Sequence, residues 1–161
     1  MERFQESREK AKKNIHIADH MLTVTYPLVK DTKLLLAILE NVFLGYVNAM
    51  SAILYHDRLF KTIPPFQNTY ESKLRMFKEK SMRKHKLSND YLMELQEIRE
   101  LLKEHKESPV EFVKQDKFVI CSETYKMKTI GLKNIQQYID RAKLFIAEVD
   151  KITQKNESLF R

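Results

Sequence analysis

LLLAILENVFLGYVNAMSAIL, residues Leu34–Leu54, is apolar on almost every side of a helical wheel. Its reading decides the fold. The run is long enough to cross a bilayer, for which about 20 apolar residues suffice. It also carries Glu40, Asn41, Asn48 and Ser51, and an acid held at mid-span costs on the order of 2.5–3.5 kcal/mol on insertion scales. A central helix enclosed by neighbouring helices accounts for the same run without that penalty. We therefore expect a buried core helix and no membrane partner.

The rest of the chain offers few places to turn. There are two glycines and four prolines in 161 residues, so long helices must make up most of the fold. The expected class is all-α: a single domain over 1–161, built as an up-and-down bundle of four to five helices. Working outward from the core run, Asp31 is placed to cap its start and Pro64–Pro65 stops it near Thr62. Upstream, Ala11, Ile15, Ala18 and Leu22 form one stripe of a helix from Arg3 to about Thr23, which Pro27 closes. Downstream, Asn68 and Glu71 suggest a capping box with Leu74 and Phe77 facing inward. After a break over Lys84–Leu87, Ser88 caps a helix carrying Tyr91, Leu95, Ile98, Leu102 and His105, which ends at Ser108–Pro109.

From Val110 to Ile130 the helical period vanishes. KFVIC (Lys117–Cys121) and TYKMK (Thr124–Lys128) read instead as two short strands around Ser122–Glu123, a β-hairpin or irregular excursion before the last helix. Beyond Gly131 the clearest period of all returns, with Ile135, Ile139, Ala142, Ile146 and Val149 in register.

Composition narrows the chemistry. The lone Cys121 cannot close an internal disulfide, and the first residues, MERFQESREKAKK, lack the apolar core of a secretory signal; a cytoplasmic home is expected. The net charge is +7 with a pI near 9.4. The excess gathers in Lys73, Arg75, Lys78, Lys80, Arg83, Lys84 and Lys86, seven cations in fourteen residues with Glu79 the only acid among them. Such a run suits RNA phosphates or an acidic protein partner; as a plain solvated face it would cover a buried side made by Leu74 and Phe77. Nearby aromatics are Tyr70 and Phe77 alone, so no base-stacking platform is visible. Glycine-rich phosphate loops, Ser-His-Asp arrangements, cysteine pairs and dinucleotide fingerprints are absent, so no cofactor is expected.

Two histidine arrangements remain. His16 and His20 lie one turn apart with Asp19 between them, and His56 with Asp57 would have to complete a metal site. Two ligands do not make one; no metal is expected, and His20 reads as a hydrogen-bonded core residue. Arg99 and His105 are the candidate catalytic pair: an arginine can hold a phosphoryl charge while a histidine moves a proton near neutral pH. Six residues of helix turn the second side chain about 600° past the first, leaving the two roughly 120° apart. They meet only if the helix frays before His105 or a second protomer completes the site. The plain alternative places His105 at a helix C-terminus and pairs Arg99 with a surface acid.

A bundle whose penultimate long helix carries Arg99-Glu-Leu-Leu-Lys-Glu-His105, followed by a loop and a closing helix, resembles the HEPN superfamily. The segments ADHMLTVTYPLVKD (Ala18–Asp31) and HKESPVEF (His105–Phe112) are also similar to uncharacterised archaeal helical proteins. The superfamily resemblance implies one of two activities. Many members are dimeric, metal-independent ribonucleases using an Arg-x(4–6)-His motif in the dimer cleft; others are inactive modules that bind RNA or a partner. Under it Arg99 would hold phosphate and His105 would transfer protons. Glu100 departs from the active pattern, where an uncharged polar residue usually follows the arginine. The leading expectation is thus a non-enzymatic, homodimeric module binding RNA or a protein. The alternatives are an endoribonuclease using Arg99 and His105, or a dimeric assembly protein joined through the core helix, where a two-fold axis would satisfy Glu40, Asn41 and Asn48.

Overall fold

A computed structural model describes residues 1–107, 110–114, 117–121 and 127–155. Among the described residues, five principal helices make an all-α bundle. They are α1 (Arg3–His20), α2 (Lys33–Leu59), α3 (Tyr70–Met76), α4 (Asn89–Glu107) and α5 (Leu132–Gln154). Helix α2 is the axis. Leu35, Ile38, Leu39, Val42, Tyr46, Ala49, Met50 and Ile53 are buried along it against α1, α4 and α5. It is long and apolar enough to cross a membrane, yet its own neighbours bury most of it. That is why the run Leu34–Leu54 lacks a polar face: it has almost no solvent side to supply.

Most polar residues within the apolar run of α2 find partners within the chain. Asn48 donates to Asn14 of α1 at 2.8 Å, Asn41 donates to the carbonyl of Ala37 at 3.0 Å, and Glu40 is exposed. Asn41 and Asn48 are thus satisfied within one chain. On the far side of α1, Arg8 is buried and donates to Thr153 at 3.1 Å, while Lys12 pairs with Asp150 at 3.0 Å. These contacts fasten the end of α5 to the start of α1.

Several boundaries differ from the sequence reading. Pro27 does not close the first helix. A π-helical turn at Met21–Thr25 precedes it, in which the Tyr26 N–H reaches back to the Met21 carbonyl, and the rod continues over Tyr26–Val29. Widening the ladder there accommodates a residue that has no N–H to give. The cap before α3 is Thr69, whose hydroxyl accepts from the Ser72 N–H at 3.2 Å; Asn68 instead accepts from the Tyr55 hydroxyl at 2.8 Å. Asp31 does receive the Lys33 N–H at 3.0 Å, and Ser88 that of Asp90 at 3.2 Å.

The excursion before the last helix has three strands rather than two. They are β1 (Val110–Lys114), β2 (Lys117–Cys121) and β3 (Met127–Gly131), an antiparallel meander. Val110 pairs with Cys121, and Lys117 with Gly131. The second strand matches KFVIC, the third begins three residues later than TYKMK, and the first had not been expected. The stop at Ser108–Pro109 and the turn at Ser122–Glu123 lie outside the described residues. Gly131 leads directly into α5, its N–H bonded to the Asn134 side chain at 3.0 Å.

Candidate nucleic-acid interface

The basic run forms the helix α3 and its continuation. Past Met76 the helix passes through a second π-helical turn, Phe77–Ser81, and ends with Met82–Lys84. Phe77, Ser81 and His85 recur at intervals of four and make the inward stripe of this rod. Phe77 packs edge-on against Phe145 of α5, with ring centroids 5.8 Å apart. Arg75, Lys78, Lys80, Arg83, Lys84 and Lys86 are exposed around the remaining surface, while Lys73 is half-buried.

What fixes this rod to the bundle is a buried carboxylate. Asp57, near the end of α2, is 0% exposed. It accepts from the Ser81 hydroxyl at 2.7 Å, from His85 Nε2 at 2.9 Å, and from His56 Nδ1 at 3.1 Å. The Lys84 ammonium stands 3.8 Å away. An ionised carboxylate only accepts, so the facing nitrogens of both imidazoles carry the protons. Burial pushes this carboxyl upward, but the hydrogen bonds from His56, His85 and Ser81 outweigh it and hold the group well below the usual carboxylate range. Ser81 is itself buried and donates its hydroxyl hydrogen bond to the acid, so it is not presented as a nucleophile. The cluster anchors the basic rod.

Beside the anchor, α2 ends in a cleft of about 390 Å³ lined by Glu2, Arg3, Phe4, Tyr55, Arg58, Leu59 and Lys61. Arg3 lies over the Tyr55 ring at 4.2 Å and donates to its hydroxyl at 3.0 Å. Arg58 lies over Phe66 at 5.5 Å, and the Tyr55 and Phe66 rings stack at 5.7 Å. Lys73 places its ammonium 5.2 Å from the same Tyr55 ring, so this one side chain joins the cleft to the basic rod. Interleaved aromatic and cationic groups are therefore present here, contrary to the expectation that only Tyr70 and Phe77 were near. The sequence hides the arrangement because Arg3, Tyr55, Phe66 and Lys73 come from four separate segments. A signal was available in the pair His56-Asp57 closing an apolar helix, and in the four-residue rhythm Phe77, Ser81, His85 breaking the basic run.

The candidate catalytic pair lies elsewhere. Helix α4 is unbroken through His105, so Arg99 and His105 of one chain stand roughly 120° apart and about 9 Å along the axis. The Arg99 guanidinium lies 4.1 Å over the Tyr70 ring and bonds Glu71 at 3.1 Å. It borders a groove of about 330 Å³ with Glu40, Phe43, Leu44, Leu102 and Lys103. His105 is half-buried in the last turns of the helix. His16 and His20 are both exposed on α1, so His20 is not a core residue. His56 packs against Phe4 at the opposite end of that helix. Among the described residues, no group of three or more histidine, cysteine, aspartate or glutamate side chains is placed to hold a metal ion.

A second buried acid lies between α2, α4 and α5. Glu94 is 3% exposed, accepts from the Tyr46 hydroxyl, and has Arg141 at 3.6 Å. Burial lifts its carboxyl to about 7 against the smaller pull of Tyr46 and Arg141. Burial also raises the hydroxyl of the neighbouring Tyr91, to about 12. Compared with known proteins, the chain matches no family model and no curated protein.

Proposed function

We propose that this protein is a non-enzymatic, HEPN-like helical module that holds single-stranded RNA on the basic face of α3 and its continuation to Lys86. The observation that carries the reading is the set of exposed cations Arg75, Lys78, Lys80, Arg83, Lys84 and Lys86 on a rod anchored at Asp57, with Glu79 the one acid within 73–86. An anchored array neutralises phosphates at a small ordering cost, and counterion release supplies the affinity. Arg3 on Tyr55 and Arg58 on Phe66 favour RNA over an acidic protein, because planar cations and rings suit bases as well as phosphates.

The test is fluorescence anisotropy with a single-stranded oligoribonucleotide, comparing the natural chain with Arg75→Glu/Lys78→Glu/Arg83→Glu. All three side chains are exposed, so the fold should stand while binding falls by about 100-fold or more at moderate salt. Equal binding by both proteins refutes the reading. An acidic polypeptide bound more tightly than RNA would favour a protein partner. Cleavage that survives EDTA and disappears in His105→Ala would instead favour the endoribonuclease.

A further inference from the structure

We propose that the cleft at the C-terminal end of α2 takes a terminal nucleotide, with one phosphate held by Arg3, Arg58 and Lys61. For the strand end this rests on the RNA reading above; for the pocket itself it does not. Its volume, about 390 Å³, lies within the range of small-molecule sites, about 300–1,000 Å³. Three cations reach it from three segments: the first turn of α1, the last turn of α2, and the turn that follows. Arg3 and Arg58 are each backed by an aromatic ring, which fixes the guanidinium plane before any ligand arrives. Leu59, partly exposed on the rim, offers an apolar wall to a base or ribose. Glu2 is the one acid of the lining. It suits a single phosphate with a neutral remainder and disfavours a polyphosphate, and its carboxylate can accept from a ribose hydroxyl or a base amino group.

Lys61 sharpens the case. Its φ is 57°, a left-handed conformation that glycine adopts freely and lysine does not. Lys30 and Lys86 occupy the same kind of position at other helix ends, so the conformation is a habit of this chain. Lys61 is distinguished by lining the cleft. Replacing it with glycine removes the cation and relaxes the backbone, so loss of binding cannot be blamed on loss of fold. Lys73, Tyr55 and Arg3 connect the cleft to the α3 face, so a strand lying along α3 has a route for its end into the pocket.

The experiment uses the full chain and an internally labelled oligoribonucleotide ending in a 5′-phosphate, a 3′-phosphate or hydroxyls, with AMP and GMP titrated separately by calorimetry. One phosphate-ended form should bind about tenfold more tightly than the hydroxyl-ended form. Lys61→Gly should erase that preference, bringing the phosphate-ended form down to the level of the hydroxyl-ended one. Indifference to the end group, with no AMP or GMP bound at millimolar concentration, overturns the pocket while leaving RNA on α3 intact. AMP or GMP bound with no affinity for any oligonucleotide supports the pocket as a free-nucleotide site and removes the RNA reading. Equal nucleotide binding by Lys61→Gly and the natural chain overturns the assignment of the phosphate contacts.

Discussion

Asp57 and Glu94 are both carboxylates enclosed by the same bundle, yet they are shifted in opposite directions. Desolvation raises both. Asp57 is met by a serine hydroxyl and two imidazoles, and stays ionised. Glu94 is met by a phenol, with its nearest cation 3.6 Å away, and is pushed toward neutrality. The number and kind of donors, more than depth, decide the charge of a buried acid. The difference divides the molecule: the ionised acid holds the basic rod, whereas the acid nearing neutrality lies among tyrosines in the packed middle.

The sharpest way to break the comparison is to delete Asp57. Asp57→Ala strands Ser81, His56 and His85 without their acceptor, and its cost should be about 3–5 kcal/mol, the loss typical of a broken buried pair. Urea denaturation reads it directly. A loss below 1 kcal/mol would mean that the carboxylate does not anchor the rod.

Glu94 should respond less, and to pH. Its folded value of about 7 lies above the ordinary 4.5, so between those values the folded chain binds a proton that the unfolded chain does not. Its contribution is fully present below pH 4.5 and is lost as pH rises through 7, by about 3 kcal/mol. Asp57 has the opposite sign: its contribution is present above the ordinary 3.8 and is lost as the medium becomes more acidic. Glu94→Gln, which still accepts from Tyr46, should flatten the stability profile between pH 4.5 and 7. An unchanged slope in denaturant midpoints across that range would place the titrating group elsewhere.

How much of this the sequence disclosed follows from the range of each interaction. The core helix, the stripes of α1 and α5, and the cap at Ser88 are local patterns, and they were legible; the cap position before α2 falls on Thr32, one residue past the expected Asp31. Pro27 misled because the usual rule holds for a regular α-ladder, and a π-helical turn evades it. Strand β1 was missed because VEFVK is short and its pairing partners lie beyond it in the chain. Of the interface, the basic run was plain in the sequence. The anchor and the cleft were not, because Asp57 meets Ser81 and His85 across more than twenty residues and Arg3 meets Tyr55 across fifty-two.

The central claim, that the end of the molecule anchored by Asp57 is the binding end, is tested most directly by amide chemical-shift mapping. Uniformly labelled protein would be titrated with a single-stranded oligoribonucleotide. The account predicts shifts gathered on 73–86 and around Arg3, Arg58 and Lys61, with the Glu94 region unmoved. Shifts centred on Arg99 and His105, or none at all at saturating RNA, would contradict it.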